Sequence, residues 1–418
     1  MPQTKLGHGN SEIAFDERVC SRCMGHRHLC GINPCPLLLR AKALVDIDNS
    51  VTGMNLSGSS PPSVFVGEHG YPKVRIGPLI PPLVGERAAV MERPDLWLNK
   101  SIDEIIGLRF SLVRTKRPYP VDAAVDPPRV LNETQVMALS DSPADSEAML
   151  LRRPRFNRIT TGRTLPVGPS APLDSFRLED NPSVPRKVDY ITSDTDLRAE
   201  RGVMTLFEEG IRQEHLTRLL SVGLLGQKKK RRLVPTKWSI TAVDDIVGKN
   251  LHEEIVKYPW INDYLVFSDY ALGNRVVLLF LPSAWQFEAL ECWLTGERPP
   301  ILSDYEWHKG RTDYASDVVG AYYATRLPAL EYLSDMRRQA GVLVFMEIDP
   351  TKWVPLGVWR FREIARRALT ESDSERHSTY QEAVQAVAKY LHTPLQRWLD
   401  TSYIHDNHQC QRKITDYF

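Results

Sequence analysis

Four of the six cysteines in this chain lie within sixteen residues, in the segment CSRCMGHRHLCGINPC. They are Cys20, Cys23, Cys30 and Cys35, and their spacing is C-x2-C-x6-C-x4-C. Four thiolates close a tetrahedral zinc shell, and the glycines and proline between them supply the turns that wrap backbone around an ion. The segment therefore predicts a zinc knuckle with a structural Zn2+ in residues 1–40; an iron–sulfur cluster or free thiols are the alternatives.

Two histidines in the same segment leave one position of the ligand set open, because His26 or His28 could replace a sulfur. Arginines surround the segment: Arg18, Arg22, Arg27 and Arg40. A small basic zinc module can bind nucleic acid. The alternative is a structural zinc site that holds the N-terminus against the first domain.

The rest of the composition is ordinary for a globular chain. The 418 residues carry a formal net charge of +1, so any contact with nucleic acid must come from local patches rather than from a global field. The first ten residues are polar, and apolar runs such as 276–282 are too short to cross a bilayer. These features predict a cytoplasmic protein without a membrane segment, in which a metal explains the cysteine cluster better than disulfides do.

The length predicts two or three domains, and strand-like and helix-like segments alternate irregularly. This pattern favours a mixed α+β fold over a doubly wound sheet. We expect the zinc knuckle region in residues 1–40, α+β domains in 41–227 and 228–400, and a flexible tail in 401–418.

Local patterns predict several elements. A hairpin is expected where the runs 64–67 and 74–76 are separated by Gly-Tyr-Pro, and Ser101 with Glu104 resembles a capping box that opens a helix. The other expected helices are 133–139, 194–220, 315–339 with a bend at Pro328, and 380–399 with an interruption near Pro394. Buried strands are expected over 275–281 and 342–348, a loop over TESDSERHS, and a short tether over 401–410.

The segment KKKRRLVPTKWSITAVDD combines cations, an aromatic ring and acids. Its candidate nucleic-acid-binding residues are Lys228, Lys229, Lys230, Arg231, Arg232, Lys237 and Trp238. Such a mixture can bind phosphate, stack a base and, through Asp244 and Asp245, coordinate a cation. The alternative is a solvated basic turn followed by a capped helix.

Candidate catalytic residues come from two acidic and arginine-rich segments. They are Asp244, Asp245, Glu347, Arg360 and Arg362. Carboxylates at a strand end that face several guanidiniums form an active cleft in some enzymes, and a structural ion-pair network produces the same pattern. No Walker A, G-x-G-x-x-G, H-E-x-x-H or G-x-S-x-G motif is present in the sequence, which argues against the corresponding enzyme classes.

The last eight residues, QRKITDYF, place two aromatic rings where a chain end is usually polar and frayed. Gln411, Ile414, Tyr417 and Phe418 match, position for position, the clamp-binding peptide called the PIP box. A single tight turn sets the three apolar side chains on one side as a plug, while the glutamine hydrogen-bonds beside the pocket. A tail docked on its own protein is the alternative.

With the cysteine segment and this tail, the chain resembles the archaeal NreA family of DNA repair proteins. The resemblance covers nearly the whole length and includes LCGINPCPLL, PPSVFVGEHGYPKVRIGP, DTDLRAERG, LVPTKWSITAVDD, GAYYATRLPALEYL and PLGVWRFREIARRAL. It implies a role in the DNA damage response, with PCNA as the partner of the tail. It implies no particular reaction.

The leading hypothesis is a DNA repair factor that PCNA recruits to DNA and whose own affinity for DNA is weak, because tethering supplies local concentration. One alternative is an enzyme, nuclease-like or modifying nucleotides or DNA, with an acidic and arginine-lined cleft in the C-terminal domain. Another is a non-catalytic repair adaptor. The sequence therefore leaves open whether the protein is an enzyme.

Overall fold

The computed structural model describes residues 54–81, 87–155, 168–352 and 357–410, with a few single positions between 22 and 42. Two six-stranded sheets organise these residues. The strands of the first sheet are β1 (Asn55–Ser60), β2 (Val64–Val66), β3 (Lys73–Ile80), β4 (Val113–Pro120), β5 (Ala144–Leu150) and β6 (Ser170–Leu178). Those of the second are β7 (Tyr264–Ala271), β8 (Asn274–Leu281), β9 (Gln286–Trp293), β10 (Ile301–Glu306), β11 (Gly341–Ile348) and β12 (Glu375–His377). The predicted α+β class is confirmed.

Helices cover and connect the sheets in the described part of the chain. They are α1 (Arg87–Val90), α2 (Ile102–Phe110), α3 (Arg129–Leu139), α4 (Arg186–Ser193), α5 (Ala199–Glu208), α6 (Gln213–Ser221), α7 (Thr236–Ile255), α8 (Gly320–Met336), α9 (Trp359–Glu371), α10 (Tyr380–Ala388), α11 (Leu395–Leu399) and α12 (Tyr403–Cys410). Short 3-10 helices lie at Pro94–Leu96, Val121–Ala124 and Lys228–Lys230.

The first sheet has the strand order β1-β5-β6-β4-β3-β2. Its neighbouring strands are antiparallel except for the parallel pair β4 and β6. The predicted hairpin is confirmed, because Val64 pairs with Pro78 and Val66 with Ile76. Side chains alternate between the two faces of each strand, so Val113 and Thr115 of β4 are buried while Arg114 and Lys116 remain partly exposed.

The second sheet has the order β10-β9-β11-β8-β7-β12, and its one parallel pair is β11 with β9. All eight residues of β11 are buried, which explains why this strand reads as a continuous apolar run. Val342, Val344 and Met346 face the core that contains α8 and α9. Leu343 and Phe345 face a second core, which α10, α11 and α12 cover on the opposite side of the sheet.

A helical layer joins the two halves of the chain. Val203 of α5 and Leu219 of α6 share one buried cluster with Val243 of α7 and Leu327 of α8. The expected division between residues 227 and 228 falls between α6 and α7, which pack against each other. The two sheets are therefore connected through apolar helix contacts on both sides of that position.

Several predicted elements are confirmed with adjusted limits. The capping box is present, since the Glu104 backbone N–H donates to Ser101 Oγ at 3.2 Å and the Ser101 N–H donates to Glu104 Oε2 at 2.8 Å. Pro328 lies inside α8, and residues 389–394 separate α10 from α11. The predicted strands over 275–281 and 342–348 each begin one residue earlier, at Asn274 and Gly341.

Three expectations are corrected. The single helix expected over 194–220 is two helices, α5 and α6, because the chain turns at Gly210 with φ of +76°, a conformation that favours glycine. The stretch TESDSERHS contains β12, which pairs with β7. Residues 403–410 form helix α12 rather than a tether.

Candidate functional site

An exposed pair of aromatic rings lies where the start of α7 meets the β2–β3 hairpin. Trp238 and Tyr71 are 43% and 52% exposed, and their ring centroids are 5.2 Å apart. The Thr236 hydroxyl accepts a hydrogen bond from the Val66 backbone N–H at 2.9 Å, which joins the first turn of α7 to β2. Two rings that remain open to solvent form a surface on which a nucleic-acid base can stack.

Exposed lysines lie next to Trp238 and earlier in the same segment of the sequence. Lys237 lies 3.6 Å from Glu68 and its side chain is 72% exposed, so the ion pair contributes little to stability. The basic run forms the 3-10 helix Lys228–Lys230, in which all three lysines are exposed. The structure thus places four predicted nucleic-acid-binding lysines and Trp238 at the surface. Tyr71 was not predicted, because its contact with Trp238 comes from a distant part of the sequence.

The two arginines of the basic run have local structural contacts. Arg231 is half-buried, and its guanidinium donates to the carbonyl oxygens of Gly226 at 2.8 Å, Thr192 at 2.9 Å and Asp194 at 2.7 Å. Burial lowers the pKa of this guanidinium. Arg232 Nη1 donates to the Lys229 carbonyl at 3.1 Å. Arg231 therefore braces the turn, which presents the lysines to solvent.

Two of the five candidate catalytic residues meet in a buried ion pair. Arg362 Nη2 of α9 donates to Asp244 Oδ2 of α7 at 2.8 Å, and the Gln213 side-chain amide of α6 also donates to Asp244. Glu214 lies 3.7 Å from Arg362. Burial raises the pKa of Asp244, and the charge and hydrogen bond of Arg362 oppose that change.

A second arginine extends this network along α9. Arg366 donates to Glu331 of α8 at 2.7 and 2.9 Å, to Glu363 at 3.0 Å and to the side-chain oxygen Oε1 of Gln213 at 3.0 Å. Burial raises the pKa of the Glu363 carboxyl to about 7, and the positive charge of Arg366 opposes this. The ion pairs therefore connect four helices, α6 to α9, through mostly buried groups.

The structure does not bring the other candidates to this pair. Glu347 of β11 lies on the opposite face of the second sheet, where it accepts the backbone N–H groups of His392 at 2.9 Å and Thr393 at 2.7 Å. Asp245 pairs with Lys249 at 2.6 Å on the surface of α7. Arg360 packs beside the rings of Trp293 and Phe361, and burial lowers its pKa to about 10. No common cleft unites these five residues.

A surface cavity of about 380 Å³ lies elsewhere, beside the first sheet. Its lining includes Asn55 of β1, Arg129 of α3, and Glu147 and Arg177 of β5 and β6. Arg177 donates to Glu147 at 2.7 Å, so these two charges compensate each other, while Arg129 adds a further positive charge to the lining. None of the candidate catalytic residues lines this cavity.

Part of the predicted metal set lies among the described residues. Cys23 is buried and its Sγ accepts a hydrogen bond from the Leu29 backbone N–H at 3.4 Å, while Cys35 is half-buried. Cys20 and Cys30 lie outside the described residues. Among those that the structure describes, no group of three or more histidines, cysteines or acids has the arrangement of a metal site.

The helix before the PIP-box match is fixed to the second sheet. Glu288 of β9 is buried, and its carboxylate accepts the Ser402 hydroxyl at 2.7 Å and the backbone N–H groups of Tyr403 at 3.0 Å and Ile404 at 2.9 Å. The Tyr380 hydroxyl lies 2.6 Å from His405 Nδ1. The residues Gln411, Ile414, Tyr417 and Phe418 follow α12 and lie outside the described part of the chain.

By fold, this is a two-sheet α+β protein whose surface carries an exposed aromatic pair and a lysine-rich turn. Within the described residues, no helix is long and apolar enough to span a membrane.

Family models define the protein more closely: one described as "Archaeal Nre, N-terminal" matches residues 29–297 and one described as "Archaeal Nre, C-terminal" matches 306–417. The chain belongs to the archaeal Nre family. The two models meet near β10, within the second sheet.

Curated relatives extend over most of the chain. DNA repair protein NreB of Archaeoglobus fulgidus is 36% identical over 389 residues, which are 92% of this chain and 96% of the relative. DNA repair protein NreA of the same organism is 36% identical over 88% of this chain and 93% of its own length. DNA repair protein NreA of Haloferax volcanii is 34% identical over 91% of this chain and 92% of its own length. No solved structure matches the chain.

Proposed function

We propose that this protein is a DNA repair factor that the sliding clamp PCNA recruits to DNA through Gln411, Ile414, Tyr417 and Phe418. Membership of a family whose curated relatives are named DNA repair proteins supports the repair role. The position-for-position match of QRKITDYF to the clamp-binding peptide supports the partner. This match is the single observation that carries the proposal.

The position of the peptide also supports clamp binding. Helix α12 ends at Cys410, and Gln411 is the next residue. Because Glu288 accepts the hydrogen bonds of Ser402, Tyr403 and Ile404, the start of α12 is held against the second sheet. A clamp bound to the peptide would therefore lie close to the body of the protein, and the short connection limits how far the two can separate.

The DNA contact in this proposal comes from the exposed lysines and the aromatic pair. Lys228, Lys229, Lys230 and Lys237 would contact phosphates, and Trp238 with Tyr71 would stack on bases of an unpaired strand. Both rings are exposed to solvent, whereas rings that pack only for stability are usually buried. Because the clamp supplies local concentration, weak affinity for DNA is sufficient.

A structural zinc ion held by Cys20, Cys23, Cys30 and Cys35 belongs to the same proposal. Buried Cys23 is compatible with this role, and the backbone N–H that its sulfur accepts would stabilise a thiolate. A four-sulfur set leaves no open coordination position, so the ion would organise the N-terminal segment and not supply a reaction.

The buried network favours a non-catalytic adaptor over an enzyme that uses Asp244. The carboxylate of Asp244 is surrounded by Gln213 and Arg362 and is almost completely buried, at 1% exposure. A catalytic acid must reach a substrate, whereas an ion pair between helices need not. We therefore assign the pair Asp244–Arg362 a role in holding the helical layer together.

Calorimetric titration of the cognate clamp tests the proposal. The full chain should bind, and the variant Tyr417→Ala/Phe418→Ala should lose most of the affinity because two of the three apolar anchors are gone. Thr415→Ala is the matched control, since it changes a position that the motif leaves free, and it should bind like the wild type. Equal binding by the wild type and the double variant, or no binding by the wild type, would overturn recruitment through this peptide.

A further inference from the structure

Positively charged side chains share one face of the first sheet, and this face is partly covered at Leu79, the β3 partner of Arg114. Arg114 and Lys116 lie two residues apart on β4 and alternate with Val113 and Thr115, which are buried in the core. On the neighbouring strand, Arg75 pairs with Pro118, so it lies diagonally beside Lys116 on the same face. Arg152, just after β5, is close enough to act electrostatically on Lys116.

These four side chains, Arg75, Arg114, Lys116 and Arg152, form the cationic face. Within the described residues, none of them forms a salt bridge, and the charges that act on Lys116 are all positive. Arg177 of the same sheet is different, because it pairs with Glu147 at 2.7 Å. The absence of acidic partners in the described part of the chain leaves the cationic face with a net attraction for anions.

Two of these groups are held in place while lacking a counter-charge. Lys116 Nζ donates to Ser170 Oγ at 2.8 Å, and burial together with Arg114, Arg75 and Arg152 lowers the pKa of its ammonium group to about 8. The Arg114 guanidinium lies 4.4 Å from the Phe65 ring centroid, and its buried Nε has no hydrogen-bond partner. Like charges brought together in this way destabilise one another until an anion binds.

We propose that the cationic face binds the phosphate backbone of DNA. Neighbouring strands lie about 4.8 Å apart and alternate residues of one strand about 6.7 Å apart, so the charges cover an area larger than one phosphate. An array of this size fits a polyanion with regularly spaced charges. Arginine and lysine contacts to phosphate carry no sequence information, so the cationic face positions DNA without selecting a sequence.

The cationic face and the exposed aromatic pair lie close together along the chain. β3 begins at Lys73, two residues after Tyr71, and the exposed Arg75 follows on the same strand. DNA that stacks on Tyr71 and Trp238 would therefore pass the start of the strand that carries Arg75. This inference rests on the proposed function, because it assigns a second DNA contact to the same repair factor.

Fluorescence anisotropy with labelled single-stranded and duplex oligonucleotides, measured on the full chain over a series of salt concentrations, tests the inference. Arg75→Ser/Lys116→Gln should weaken binding about tenfold at 0.1 M salt, and the slope of log K against log salt should fall by about 2 for duplex DNA, because two phosphate contacts are lost. Arg177→Ser is the matched control on the same sheet and should bind like the wild type. Circular dichroism confirms that each variant is folded.

The outcomes separate this inference from the proposed function. If Arg75→Ser/Lys116→Gln binds with unchanged affinity and slope while Lys237→Ser/Trp238→Ala binds weakly, the cationic face is not a DNA site and the proposed function stands. If the wild type binds no DNA at 20 mM salt, the inference is also wrong, and the clamp titration still decides recruitment. If poly-glutamate displaces DNA at equal charge concentration, the face binds acidic protein segments instead.

Discussion

The Arg362 guanidinium and the Asp244 carboxylate form a buried ion pair, 2.8 Å from Nη2 to Oδ2, that joins α9 to α7. Both side chains are almost completely excluded from solvent, at 4% and 0% exposure. A buried pair of this kind owes its stability to mutual compensation, because each charge alone would face the full cost of leaving water.

Asp244→Asn should therefore destabilise the protein strongly. The variant leaves Arg362 with Glu214 at 3.7 Å as its nearest acidic group, and loss of one partner of a buried pair costs on the order of 3–5 kcal/mol. Asp245→Asn, the neighbouring residue with an exposed Lys249 partner, should cost less than about 1 kcal/mol. Urea denaturation of both variants measures the difference, and equal midpoints would show that the buried pair is not a stabilising contact.

This expectation changes how catalysis can be tested. Substitution of Asp244 removes a contact between helices, so a loss of repair function in that variant does not identify a catalytic acid. Glu347 has the same limitation, because it holds the backbone N–H groups of His392 and Thr393. Asp245 is half-buried and pairs with exposed Lys249, so its substitution should disturb the fold least and is the most informative for an enzymatic role.

The stability of the protein should fall as pH rises from about 5 to 7 through Glu363. Burial raises the pKa of this carboxyl from 4.5 to about 7, so the folded state binds more protons than the unfolded state between these values. The protonated Glu363 carboxyl therefore contributes most to the free energy of unfolding below pH 4.5, and this contribution is lost as the pH rises through 7. At about 1.36 kcal/mol per pH unit, the change reaches about 3 kcal/mol.

Denaturation at a series of pH values checks the Glu363 prediction. Glu363→Gln cannot titrate, so the difference in unfolding free energy between the wild type and this variant should change by about 3 kcal/mol between pH 5 and 8, with the wild type losing stability. Glu382→Gln, at an exposed helix start, is a control for a carboxyl on the surface. A difference that does not vary with pH would contradict a raised pKa for Glu363.

The elements that sequence reasoning predicted correctly depend on neighbours in the chain. The Ser101–Glu104 capping box needs only residues three positions apart, and the apolar run of β11 is readable because both faces of the strand are buried. The break between α5 and α6 was also readable in principle, since Gly210 at a helix C-terminus is a standard stop signal.

The parts that could not be predicted depend on tertiary contacts. Asp244 and Glu347 both look like cleft carboxylates in sequence, and only the fold places them on opposite sides of the second sheet. The Tyr71–Trp238 pair joins segments that are distant in sequence. Arg75 and Lys116 likewise share a face only because β3 pairs with β4. Composition gave no sign of this patch, since the net charge of the chain is +1.

Glu288→Gln should loosen the start of α12. The carboxylate accepts the backbone N–H groups of Tyr403 and Ile404, and an amide oxygen carries less charge and leaves its NH2 group facing those donors. Hydrogen exchange of these two amides should accelerate by at least about tenfold, while the amides of α8 should be unchanged. Uniform acceleration across both helices would indicate global destabilisation and not release of α12.

Lys116 should be the most reactive lysine of the described residues toward amine reagents at pH 8. Its pKa is lowered to about 8, so roughly half of the amine is unprotonated at that pH, compared with about 0.4% for a lysine of ordinary pKa near 10.4. Arg75→Ser removes one of the positive neighbours and should raise the pKa, so labelling of Lys116 should become slower. Mass spectrometry after a short pulse of reagent measures both rates, with exposed Lys229 as the internal reference.

The same labelling experiment reports on the cationic face when DNA is present. A bound phosphate favours the charged ammonium form, so it raises the pKa of Lys116 and also covers the side chain. Both effects slow labelling, whereas removal of Arg75 slows it without DNA. Slow labelling of Lys116 in the free wild-type protein, at a rate similar to that of Lys229, would contradict a pKa lowered by burial and the neighbouring arginines, and would remove this support for the site.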